Sequence, residues 1–134
     1  MTDHNAALLA LRPTVDANPD AASSDVERFF HATLRPVLKL QNETLLTIVA
    51  REVGKRVKEL ADMAPDDQRE RLIQALAGDS RRKRTLVGVV YGALTVQELA
   101  FALDHEAEVR RRIVSLLVER VRSQSEAVAK RARA

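Results

Sequence analysis

Apolar residues in this chain recur at spacings of three and four, a period that commits most of it to helix. Val37, Leu38, Leu45, Ile48, Val49, Val53, Val57 and Leu60 fall on one such stripe, and Val109, Ile113, Leu116, Leu117 and Val121 on another. Residues 87–91, Val-Gly-Val-Val-Tyr, are the one place where β-branched content suggests a strand, and a lone strand would have no partner. The expected fold is all-α: a compact bundle of about five to six helices, two long, with short connecting helices.

Local punctuation divides the pattern. Ser24-Asp25-Val26-Glu27 fits a capping box and starts the first helix, which carries Phe29, Phe30 and Leu34 up to Pro36. The helix either kinks there or a new one starts with Pro36 at its first position; a proline at that position costs nothing, so a break is the favoured expectation. The second helix then runs from Pro36 for about 25 residues, near 37 Å. Pro65 opens a third helix, Pro65–Ala77, with acids in its first turn and Gly78 as the residue after its end. Asp79 or Ser80 caps a fourth, ending at Gly92, and Thr95-Val96-Gln97-Glu98 is a second capping box opening a fifth. A sixth runs from near Asp104 to about Ser125. Residues 1–23, rich in Pro, Asn and Ser, read as a flexible tail with one helical turn at Ala6 to Leu11. Residues 24–126 read as a single helical domain, and 127–134 as a frayed basic end.

The chain has 134 residues, enough for one core, and no cysteine, which removes disulfides, thiolate metal sites and Cys nucleophiles. Aromatics make up 3% of it, leaving few rings to stack on nucleobases. The N-terminal apolar run is only six residues and follows an acid, and no later segment reaches the roughly 20 uncharged residues of a membrane span. A cytoplasmic protein is expected. The net charge of +3 gathers at the end: residues 105–134 hold eight Lys/Arg against four Asp/Glu.

Several clusters invite a chemical reading. Arg81, Arg82, Lys83 and Arg84 place cations in a first helical turn, against the helix dipole, so a bound anion or internal salt bridges to Asp79 and the acids of the third helix could relieve the conflict. The Walker spacing of glycines is absent before them. Arg110, Arg111, Arg112, Arg120 and Arg122 form a candidate basic face, with Glu106, Glu108 and Glu119 interleaved; nucleic acid is a lesser alternative to a solvated mixed-charge surface. Gln41 and Asn42 interrupt an apolar stripe and are candidates for a buried polar site. Gly88 and Gly92, four apart, suit close approach of another helix, from this chain or a twin, although Gly92 could simply end its helix. Glu27 and His31 share a face one turn apart, and Asp104, His105, Glu106 and Glu108 cluster where a helix start favours acids. Neither HExxH nor Glu-x-x-His occurs, and Ser115, Ser123 and Ser125 lack a nearby base, so no catalytic set, metal site or cofactor is assigned.

Thr33-Leu34-Arg35-Pro36-Val37-Leu38-Lys39-Leu40-Gln41-Asn42-Glu43-Thr44-Leu45-Leu46, and the block Leu86 to Gly92 with Leu94 to Glu98 and Arg111-Arg112-Ile113, resemble a family of small all-helical bacterial proteins of unestablished function. The resemblance spans residues 26 to about 125 and implies a fold. Some members of that family carry the label glyoxalase, but that activity needs His and Glu metal ligands in paired βαβββ modules, and this chain has three His and no strand pattern. The expectation is a non-enzymatic homodimer that binds another macromolecule, because the two long apolar stripes exceed what short helices cover. The alternatives are an anion or nucleic-acid binder, or an enzyme whose Glu27, His31 and Gln41 share a pocket.

Overall fold

The computed structural model describes residues 2–15 and 24–133. Among them lie eight α-helices and no strand: α1 Thr2–Leu11, α2 over 25–40, α3 Asn42–Glu52, α4 Pro65–Ala77, α5 Ser80–Gly92, α6 Val96–Asp104, α7 Glu106–Ser123 and α8 Ser125–Arg133. The all-α expectation holds. The helices outnumber the five to six expected, and only α7, at 18 residues, is long.

Pro36 does not break α2. Ser24 Oγ accepts the Glu27 N–H at 3.1 Å, as one half of the expected capping box, and Asp25–Phe29 is regular α-helix. Phe30–Leu34 is then a π turn, in which the Arg35 N–H reaches the Phe30 carbonyl, and Arg35–Leu40 resumes the α form with Pro36 in its first turn. The wider turn just ahead of the proline accommodates a residue that cannot donate and would otherwise press on the preceding turn.

The long second helix is also corrected. Gln41 makes a turn at φ −91°, ψ 6°, and α3 stops at Glu52. The chain continues through the 3₁₀ turns Gly54–Arg56 and Leu60–Asp62, with Glu59 at φ 60°. Val53, Val57 and Leu60 are buried all the same. A Cβ on Gly54 would lie 3.2 Å from the Ala132 Cβ and in contact with side chains of Leu72 and Leu60. Packing against α8 therefore occupies the space a regular helix with a side chain at 54 would need.

Between Pro65 and Asp104 the predicted boundaries hold within a residue. Pro65 opens α4 after Ala64, and Gly78 ends it with φ −84°, needing no left-handed turn. Asp79 is the cap of α5, its Oδ1 accepting the Arg82 N–H at 3.0 Å. The α6 capping box is complete: Thr95 Oγ1 accepts from the Glu98 N–H at 3.3 Å, and Glu98 Oε1 accepts from the Thr95 N–H at 2.8 Å.

The described residues group into two compact units. One contains 2–15, 24–42 and 87–113, with a core that includes Phe29, Leu34, Val37, Leu38, Val90, Val109 and Ile113. The other contains 43–86 and 114–133, with Leu45, Leu46, Val49, Leu72, Leu76, Leu86 and Leu117 at its centre. The described parts of both ends are helical. Residues 2–11, expected as tail, are helical, and Arg12 is bonded into the first unit; residues 16–23 of that expected tail, with Met1, lie outside the described residues. Residues 125–133, expected to fray from 127 onward, form α8 with Val128 and Ala129 buried. No helix among the described residues is long and apolar enough to cross a membrane.

Candidate functional site

Arg12 and Glu98 form a largely buried charge pair in the first unit. Glu98 is presented by the first turn of α6, fixed by its own capping box, and Arg12 enters from the chain just past α1. The guanidinium holds both carboxylate oxygens, with Arg12 Nη1 2.6 Å from Glu98 Oε2, and Nη2 also donates to the Ala93 carbonyl at 3.1 Å. Their side chains are 9% and 19% exposed, so this pair is held largely away from water. Burial alone would raise the Glu98 carboxyl, but hydrogen bonds from Arg12 and the Thr95 amide, together with the charge of Arg12, hold it below its usual range. Asn5 adds two links between α1 and α6, donating to Gln97 and accepting the Val96 N–H at 3.2 Å.

A second set surrounds Glu27. Its carboxylate pairs with Arg112 and lies 3.6 Å from His31 Nε2, and the Arg112 guanidinium stacks 4.7 Å over the Phe30 ring. Phe29 and Phe101 pack with ring centres 4.7 Å apart, and Phe101 stacks on His105 at 4.3 Å. Tyr91 donates to Glu106 at 2.5 Å, and burial, followed by that bond to a carboxylate, raises its phenol well above the usual value. These contacts hold α2, α5, α6 and α7 together within the unit. Glu27 and His31 meet as expected. Gln41 is not among them: it is half-buried at the helix turn, and Asn42 opens α3, also half-buried. Among the described residues the buried side-chain amide is that of Gln68, which donates to the Leu60 carbonyl at 2.9 Å and ties α4 to the 3₁₀ turn.

In the second unit the basic start of α5 is answered mainly from within. Asp79 caps the helix and pairs with Arg56; its carboxyl is lowered first by the Arg82 amide, against a counteracting effect of burial, and then by Arg56. Arg82 reaches Glu52 at 2.9 Å, and Lys83 Nζ donates to the Ala77 carbonyl, 2.9 Å away at the end of α4. Arg81 and Arg84 are exposed. The candidate face on α7 is divided similarly. Arg112 belongs to Glu27, Arg110 lies 3.9 Å from Glu106, Arg122 lies 3.8 Å from Glu70, Arg120 is half-buried and Arg111 is exposed. Neither cluster forms an uninterrupted basic surface. Among the described residues no three His, Asp or Glu side chains come together as a set suited to a metal ion.

Gly88 and Gly92 are exposed, and a Cβ built on either meets no described atom of this chain within 4 Å, so any close approach there would have to come from a twin. Gly88 lies inside α5, where glycine is the costlier choice, so Gly88→Ala is expected to stabilise the protein by about 0.5–1 kcal/mol. A higher thermal midpoint checks this; a lower one would reveal a neighbour pressed against the helix in solution.

Compared with known proteins, the chain matches no family model, no curated protein and no solved structure.

Proposed function

We propose that the protein is a non-enzymatic helical domain that works as a homodimer and presents its surface to other macromolecules. The observation that carries this reading is the outward face of α6. Val96, Ala100 and Leu103, spaced by four and three, lie on one side of the helix and are all exposed, Val96 at 52% and Leu103 at 55%. The other large apolar side chains exposed among the described residues are Leu9 and Leu11, on or at the end of α1, the helix that Asn5 ties to α6. An exposed apolar face of this kind marks an interaction surface.

A second copy is the occupant this face suits best. The stripe bears no charge, so it is complementary to itself, whereas a charged stripe would repel its twin across a twofold axis. The argument from long stripes on two helices weakens, because most of both stripes is buried: Leu45, Val49, Val53, Val57 and Leu60 on one, and Val109, Ile113, Leu117 and Val121 on the other. The resemblance of residues 26–125 to small helical bacterial proteins belongs to the same proposal, and brings a fold without an activity. A cytoplasmic location, consistent with the absence of cysteine, belongs to it as well.

Light scattering at micromolar concentration should give twice the chain mass. Leu103→Glu should weaken self-association by at least about tenfold, because it buries a charge at the centre of the contact. The far-ultraviolet circular dichroism should be unchanged, since Leu103 is exposed. A monomeric parent protein would sink this reading.

A further inference from the structure

The chain around the end of α1 and the π turn of α2 border a cleft of about 380 Å³ within the first unit. Leu9, Pro13 and Thr14 line it from the first segment, and His31, Ala32 and Pro36 from the second. Single π turns inside α-helices recur at functional sites. This one brings His31 and Ala32 to the wall, and Pro36 has no N–H to offer the Ala32 carbonyl one turn back.

The independent indication of a ligand is Arg12, which also lines the cleft. Its side chain is 9% exposed, and its two terminal nitrogens are taken up by Glu98 and the Ala93 carbonyl. The third nitrogen, Nε, is buried and has no hydrogen-bond partner. A buried N–H is ordinarily paired, and one left without an acceptor carries its full desolvation cost. Its charge, in contrast, is already answered: Glu98 neutralises the guanidinium, and Glu27, beside His31, is held by Arg112. Arg12 thus offers the cleft a hydrogen-bond donor without a spare positive charge.

We propose that this cleft binds a small neutral molecule with an apolar body and a carbonyl oxygen. The oxygen accepts from Arg12 Nε, and the body lies against Leu9, Pro13 and Pro36, in a cleft with the volume of a small-molecule site. Nε is out of water's reach, so the oxygen meets it once the exposed side chains of Leu9 and Thr14 move aside. An anion fits less well, because it would add a negative charge beside Glu98 with no free cation to balance it. Of Glu27, His31 and Gln41, the groups that the enzyme alternative places in one pocket, only His31 lines this cleft.

The test is titration of the full chain with acetophenone, toluene and benzoate at constant pH and ionic strength, followed by backbone amide and Arg12 Nε–H resonances. The expected result is saturable binding of acetophenone in the millimolar range, with shifts at the amides of Leu9, Thr14 and Ala32 and a downfield shift of the Arg12 Nε–H. Toluene and benzoate should each bind about three- to tenfold more weakly, since one lacks the acceptor and the other brings a charge. Ala32→Phe fills the cleft from an exposed position, so it should keep the fold and weaken acetophenone binding by about tenfold. Arg12→Lys keeps a positive charge for Glu98 but has no Nε, and should lower acetophenone to the affinity of toluene. Absence of saturable acetophenone binding, toluene binding as tightly, benzoate binding more tightly, or an Ala32→Phe protein that binds as the parent does would overturn the proposal. The Leu103→Glu protein should bind acetophenone like the parent, which separates this inference from the dimer.

Discussion

Glu98→Ala is expected to cost about 3 kcal/mol, because it removes one partner of a largely buried charge pair. The substitution strands the Arg12 guanidinium, whose side chain is 9% exposed, and leaves it only the Ala93 carbonyl and weaker contacts. It also removes the acceptor of the Thr95 N–H, half of the α6 capping box. Urea unfolding measures the loss. Arg12→Ala combined with Glu98→Ala should cost less than the sum of the two single changes, since the double variant buries no lone charge. A pH dependence follows from the same pair. The folded carboxyl lies below its ordinary value of 4.5, so its stabilisation is fully present above that value and is lost as pH falls through the folded one. The Glu98→Ala protein should lack this component of acid sensitivity, and an unchanged acid profile would mean that the pair does not govern it.

Gly54→Val should cost about 2–3 kcal/mol by overpacking. The position is buried, and even the first added carbon meets Ala132 at 3.2 Å, with Leu72 and Leu60 close behind. Nothing in the backbone demands glycine there, since its φ is not positive, so the cost is one of space. Amide exchange at residues 125–133 should accelerate, because α8 is the element displaced. Ala132→Gly in the background of Gly54→Ala should recover most of the milder loss caused by that alanine. Failure of the pair to compensate would place the strain elsewhere.

The helices that were legible in the sequence are those bounded by local chemistry. Pro65, Gly78, Asp79 and the Thr95–Glu98 box lie beside the backbone groups they satisfy, so α4, α5 and α6 could be read within a few residues of each signal. The first and last helices are held from afar. Arg12 finds Glu98 86 positions away, and Arg131 finds Glu43 at 88, so neither partner marks the other in a local window. The apolar stripe through Val53, Val57 and Leu60 correctly announced burial but not helix, because the close approach at Gly54 is made by a helix from the other end of the chain. The same distance explains the site residues. Gly88 and Gly92 obey the spacing of a packing motif, yet no described helix of this chain lies against them, while Gln68, unremarkable in sequence, is the buried amide bonded to a carbonyl eight positions back.

The order of segments has a consequence for how the protein can be made or divided. The units alternate along the chain, first, second, first, second, with crossings after residues 42, 86 and 113. No single cut separates them, and a fragment ending anywhere before residue 113 contains neither in full. On a ribosome, the first unit must hold its opening helices unfinished while 43–86 emerge, and the second awaits 114–133. Such loop closures slow folding and prolong the exposure of unpaired apolar faces. Refolding is therefore expected to be limited by the pairing of distant segments rather than by helix formation.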